Sequence, residues 1–282
     1  MQTLNLKKKK RFIGGREVAI SLFAVILTTV GIKASDKYLN PKGQEVYEGA
    51  GCPPDMTQII SSGGNFCIDK YENSPSEDCK NINPGNQEQT TENLDISRCK
   101  PVSKVGNIPW RFISQNQAAV ACAKAGKRLP TNKEWLAAAL GTPDKLADWG
   151  GDDCNVAQNW GSNPGGAGLG KDCVSVAGVY DMIGNVWEWV EGTVYDGEYN
   201  GRKLPKKGYI KGVDSDALPI ETDSAGADKN YNNDYMWMVN SGARGFARGG
   251  YWDNNSDAGQ YAIYLESEPS FAGVGIGFRC VK

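Results

Sequence analysis

Two carboxylates, Asp181 and Glu188, flank a Gly/Asn turn in the segment DMIGNVWE. Oxygen ligands on either side of a tight turn suit a hard cation, and the main-chain carbonyls of Gly184 and Val186 would complete a calcium set. A structural reading stands beside it, in which Asp181 caps backbone amides and Glu188 is hydrogen-bonded in the core. Other chemistry has little to work with. The 282 residues include no histidine, which removes Ser-His-Asp and Cys-His catalysis, imidazole proton transfer and most zinc, iron or copper sites. The eight cysteines (Cys52, Cys67, Cys79, Cys99, Cys122, Cys154, Cys173 and Cys280) contain no Cys-x-x-Cys pair, so neither a zinc ribbon nor a dithiol redox centre is expected.

The stretch from Arg248 to Cys280 has another character. Fixed-looking residues (Gly249-Gly250, Trp252 and the closing GFRC) alternate with Tyr, Asp, Asn, Ser, Phe and Gly in no helical or strand period. A stiff frame carrying side chains of arbitrary chemistry suits a binding surface better than a catalytic site. Tyrosine presents a large amphipathic area with few rotatable bonds, while Ser, Asn and Gly adapt.

The elements that must position these residues are short. Ser114-Gln-Asn-Gln117 and Thr131-Asn-Lys-Glu134 are capping boxes, each followed by an alanine-rich helix that stops at Gly126 and at Gly141-Thr-Pro. Residues 75–100, poor in aliphatics, read as an exposed loop held by Cys79 and Cys99. Residues 144–173 read as a Gly/Asn/Asp-rich loop, and 192–240 as a long insertion with little regular structure. Val179–Val190 reads as a turn running into an aromatic strand. Trp135, Trp160, Trp187, Trp189 and Trp252 are expected in the core, and Lys127-Arg128 at a solvated helix end or as structural donors.

The N-terminus is basic: residues 1–17 hold six Lys/Arg and one Glu, hence +5, and the whole chain carries −2, leaving −7 for the rest. An acidic body argues against a nucleic-acid groove. Val18–Ile32 is uncharged and mostly aliphatic; fifteen residues span about 22 Å as a helix. With the lysines before it, residues 18–34 form a transmembrane anchor or a signal segment, the N-terminus inside and the remainder exported. Residues 35–62 read as a stalk and 63–282 as the ligand-binding domain. All eight cysteines follow the apolar run, and an even number of them in an exported chain implies disulfides. Spacing suggests Cys52–Cys67, Cys79–Cys99 and Cys154–Cys173, leaving Cys122 with Cys280; connectivity itself is not derivable from sequence.

AGKRLPTNKEW (125–135), GVYDMIGNVWEW (178–189), RGGYW (248–252) and GFRC (277–280) occur in one order. Together they resemble the C-type lectin-like domain of the formylglycine-generating-enzyme type. The resemblance implies an α+β fold, loop-rich, with two short helices and small antiparallel sheets, and a Cys122–Cys280 bond. It also implies that the chain is no enzyme. The family's oxidase needs a cysteine pair in its final segment, and none lies between Arg248 and Gly277; the related sulfoxide synthases need a histidine-bound iron. The final segment is similar to the variable proteins of diversity-generating retroelements, whose frame is matched by Arg248-Gly-Gly250, Trp252, Ala258-Gly259, Leu265, Pro269-Ser270 and Ile276–Cys280. In that family the intervening positions are rewritten by adenine-directed mutagenesis. Here they are Tyr251, Asp253, Asn254, Asp257, Tyr264, Ser267, Phe271, Gly273 and Gly275; Glu266 fits the adenine rule poorly. The resemblance implies a surface-displayed receptor or adhesion protein. Its partner would be a protein or glycan on another cell or virus, with calcium the one cofactor to consider and no nucleic acid bound. The alternatives are a lectin-like recognition domain that is not diversified and, behind it, an oxidase relative of the formylglycine-generating type with altered chemistry.

Overall fold

The computed structural model describes residues 51–61 and 63–282. The basic tip and the apolar segment expected to anchor or export the chain lie outside the described residues. Among the described residues no helix is long and apolar enough to cross a membrane.

The fold is α+β. Short strands β1 (Met56–Ile59) and β2 (Phe66–Asp69) pair antiparallel, as do β3 (Asn73–Pro75) and β4 (Pro101–Ser103). There are three α-helices among the described residues: α1 (Gln87–Asp95), α2 (Gln115–Lys124) and α3 (Asn132–Ala139). The remaining strands are β5 (Trp187–Tyr195), β6 (Glu198–Tyr199), β7 (Arg202–Lys203), β8 (Gly208–Val213), β9 (Pro219–Asp223), β10 (Tyr235–Met238), β11 (Ala243–Gly249), β12 (Gly259–Leu265) and β13 (Ile276–Phe278). They form one nine-stranded sheet, ordered β7-β6-β5-β11-β12-β10-β8-β9, with β13 beside β5. Two of its pairings, β10 with β12 and β13 with β5, are parallel.

Both capping boxes form. Ser114 Oγ accepts the Gln117 amide while the Gln117 side chain accepts the Ser114 amide, and Thr131 and Glu134 do the same. Helices α2 and α3 each bury a narrow stripe, Ala118, Ala121 and Cys122 on α2 and Trp135, Ala138 and Ala139 on α3. Gly126 and Gly141 follow at φ +68° and +78°, the left-handed stop that glycine supplies.

Four expectations need correction. Helix α1 stands where an exposed loop was expected, because Asn86 caps the Gln89 amide and the Cys79–Cys99 bond clamps the segment's ends. The last part of the expected stalk belongs to the domain: Met56 and Ile59 on β1 are buried, and Cys52 is bonded to Cys67. The main sheet is large and mixed rather than small and antiparallel. Residues 192–240, expected to be irregular, supply β6 to β10 and the C-terminal end of β5.

The sheet separates two apolar clusters by strand alternation. On β12, Ile263 and Leu265 join Trp135, Val190, Met236 and Phe246, while Ala262 and Tyr264 face Trp110, Trp189 and Phe278 on the other side. The four disulfides are Cys52–Cys67, Cys79–Cys99, Cys154–Cys173 and Cys122–Cys280. The last joins α2 to the residues just beyond β13 across a sequence separation of 158. Closing so long a loop removes much denatured-state entropy. The double substitution Cys122→Ala/Cys280→Ala is therefore expected to lower unfolding free energy by about 4–5 kcal/mol, read as a lower urea midpoint under oxidising conditions; a loss below about 1 kcal/mol would refute the staple's role.

Candidate functional site: an aromatic cleft on a buried ion pair

Trp187 on β5, Trp237 on β10 and Tyr264 on β12 project from the same face of the sheet. Trp237 and Tyr264 are register partners. Strand β11 separates β5 from β12 but offers only small residues, Ala247 and Gly249, so the Trp187 and Tyr264 rings meet over it at 5.5 Å. Trp187 meets Trp237 edge-on at 5.4 Å, and the row continues through Tyr235 to Tyr209. Aromatic pairs in these arrangements hold one another in place.

The loops after β11 and β12 close a cleft of about 320 Å³ over this row. Tyr251 and Phe271 add two rings, Asn254 and Glu266 add polar groups, and Gly273 and Gly275 let the Phe271 and Tyr251 rings lie close against the main chain at one wall. The loop from 266 to 275 is held mainly by its backbone. The carbonyls of Ser267, Pro269, Gly273 and Gly275 accept the amides of Gly245, Asn116, Phe112 and Trp187 at 2.9–3.2 Å. None of these bonds depends on the loop's side chains.

The frame residues of the closing segment have structural duties. Gly249 and Gly250 both adopt φ +93°, and a Cβ on Gly250 would run into Ala258, so no larger residue fits the turn. Arg248 is fully buried, donates to the carbonyls of Ala217 and Gln260, and lies 5.2 Å over the Trp135 ring. Leu265 and Ile276 are core residues.

Six of the nine expected binding residues line the cleft: Tyr251, Asn254, Tyr264, Phe271, Gly273 and Gly275. Asn254 also caps the Tyr251 amide (2.9 Å) and is partly structural. Ser267 is buried beside the cleft, 3.0 Å from the Tyr264 hydroxyl. Asp253 and Asp257 lie off the lining. The first is exposed and accepts from Gln158 at 2.7 Å; the second is half-buried in a short 3-10 turn, Asn255–Asp257. Sequence reasoning missed Trp237, lost in the segment taken as irregular. It also took Trp187 for core alone: only 6% exposed, Trp187 nonetheless forms the cleft floor.

Beneath the sheet, the DMIGNVWE turn meets GFRC. Both oxygens of Glu188 accept from Arg279 Nε at 2.8 and 2.7 Å, and Trp135 Nε1 donates to Oε2 at 2.7 Å. Arg279 also donates to the carbonyls of Asp69 and Tyr180, and both side chains are buried. Glu188 is thus the partner of the guanidinium, while Asp181 Oδ1 is buried without a hydrogen-bond partner. Asp181 receives the Gly168 amide, at φ +55°. A third buried acid, Glu72, accepts from Asn185 Nδ2 (2.6 Å) and the Val186 amide (3.2 Å). Its isolated position gave no spacing signal. One arginine cannot balance three buried carboxylates. Burial first, then the charges of Asp181 and Glu188, pushes Glu72 well above the usual carboxylate range; burial pushes Asp181 up to about 7. Among the described residues no group of three or more His, Cys, Asp or Glu is placed to hold a metal, and no cysteine is free.

A mixed nine-stranded sheet with a cleft built by the loops after β11 and β12 defines the architecture. The profile of the sulfatase-modifying factor enzyme 1-like domain matches residues 12–282, and the chain belongs to that family. It is 34% identical over 124 residues to the inactive C-alpha-formylglycine-generating enzyme 2 of Bos taurus, covering 39% of this chain and 41% of that protein. The chain thus spans about two-fifths of that relative's length. Among solved structures it is similar to the Major Tropism Determinant M1 variant (TM-score 0.46, 20% identity, 83% of this chain and 53% of the other). It is similar also to Treponema denticola variable protein 1 (TM-score 0.41, 15% identity, 83% and 92%).

Two outcomes follow for the buried cluster. Glu188→Gln leaves Arg279 buried without its counter-charge and is expected to cost about 3–5 kcal/mol of stability, measured by urea unfolding. Asp181 binds its proton more tightly folded (about 7) than at its ordinary value of 3.8. Its contribution is therefore full below about pH 4 and is lost as pH rises through about 7. Asp181→Asn keeps the amide acceptor and tolerates the left-handed backbone, so it should flatten the decline of the unfolding midpoint across that window. An unchanged slope would assign the decline to other groups.

Proposed function

We propose that this chain is a ligand-binding protein, working outside the cytoplasm, whose C-terminal segment is a diversified recognition face rather than a catalytic site. One observation carries the reading: the loop that supplies Phe271, Gly273 and Gly275 to the cleft is fixed through main-chain carbonyls, so its side chains are free to change. Tyr251 and Tyr264 sit on equally constrained backbone, beside the Gly249-Gly250 turn and within β12. The alternation of frame and loose positions in the sequence matches that division. Four disulfides fit an oxidising compartment, and residues 18–34 would tether the domain to a membrane or direct its export. The absence of histidine and the pairing of every cysteine favour binding over the family's oxidative chemistry.

A reverse transcriptase gene nearby, with a near-copy of the gene's final stretch differing at adenines, is expected. Finding neither removes diversification and leaves a fixed recognition domain. At the protein level, Phe271→Ser should change unfolding free energy by no more than about 1 kcal/mol, whereas Leu265→Ala in the frame should cost about 2–5 kcal/mol. Equal costs at both positions, measured by chemical denaturation, would show that the loop side chains hold the fold.

A further inference from the structure

The cleft's lining is unbalanced in one direction. It presents the rings of Trp187, Trp237, Tyr251, Tyr264 and Phe271, one carboxylate from Glu266, and no lysine or arginine. Arg244 touches Glu266 only at its main-chain carbonyl, at 2.9 Å, and otherwise bonds the Ser241 carbonyl. Arg111, carried next to Phe112, turns to Asn83 at 2.9 Å. A second carboxylate, Asp253, stands outside the lining; burial first, then the charge of Asp253, raises the Tyr251 phenol above its ordinary value. Aromatic faces carry negative quadrupole potential, and their attraction for a cation grows when water is excluded. Neutral apolar ligands would use the rings but not the carboxylates, and an acidic ligand would be repelled by them.

We propose that the cleft receives a cationic side chain of a partner protein, arginine foremost, stacked against the Trp187–Tyr264–Trp237 rings and neutralised by Glu266. The volume, about 320 Å³, lies at the small end of the range for ligand sites, roughly 300–1,000 Å³, and suits one or two side chains. The rim supports a polypeptide around them. Phe271 and Val274 are 46% and 45% exposed, offering apolar contact to residues flanking the inserted cation. Arginine fits better than lysine because its planar guanidinium stacks on rings while reaching a carboxylate.

This inference rests on the proposed binding role, and the experiment separates the two. A random peptide library displayed on phage is panned against the full chain in detergent. Clones are then tested on the Tyr264→Ala/Phe271→Ala and Glu266→Gln variants, with thermal unfolding by circular dichroism confirming that each variant is folded. Cleft-dependent clones are expected to be enriched in arginine. Replacing that arginine by neutral citrulline in the synthetic peptide should weaken binding roughly tenfold, and Glu266→Gln roughly three- to tenfold. Cleft-dependent peptides that tolerate citrulline overturn the cation proposal and leave the binding role standing. If no selected peptide loses affinity on the folded Tyr264→Ala/Phe271→Ala variant, both fall.

Discussion

The contact between Glu188 and Arg279 organises this domain. It lies under the sheet, excluded from water, and joins β5 to the residues just beyond β13. From Arg279 further bonds reach Asp69 on β2 and the chain at Tyr180, and from Glu188 one reaches Trp135 on α3. Five separate stretches of sequence are thereby held to one ion pair. A buried pair of this kind adds little net stability over an apolar core, but it is demanding in geometry. Misregistered pairing of β13 with β5 would leave two charges unmatched in a dry interior. The parallel register Ile276–Trp187, Gly277–Glu188 is thus specified by charge as much as by packing.

That register sets the cleft above it. Trp187 points away from Glu188 on the next position of the same strand, so fixing the carboxylate below fixes the indole above. The floor of the cleft is rigid for reasons unconnected with any ligand. The wall from 266 to 275 is pinned by carbonyl oxygens, and these oxygens are common to every residue type. The same chain therefore holds two regions with opposite tolerance to substitution, separated by the thickness of a sheet.

Much of this was legible in the sequence where a local rule operates. The capping boxes announced α2 and α3, and the glycines after them announced the stops. The spacing of frame residues from Arg248 to Cys280 marked most of the cleft. What escaped were features with no local signature. Helix α1 has no apolar stripe, since its sequence QEQTTENLD is polar but for Leu94; only Asn86, three residues before Gln89, hinted at its start. Strands β6 to β10 are short, and their burial depends on partners far along the chain. Glu72 belongs to the ion-pair cluster solely through folding. Asp253 and Asp257 share the composition of the cleft residues but not their place, because the turn between β11 and β12 carries them away from the rings.

The bonds around Asp69 illustrate what such a layout demands in time. Its carboxylate accepts the amide of Cys280, 211 positions later, and pairs with Lys127 between them. Local rewards are sparse in a chain whose organising contacts span most of its length, and loop closure must precede them, which slows folding. The N-terminal strands therefore reach their final hydrogen bonds only once the residues around Cys280 are in place.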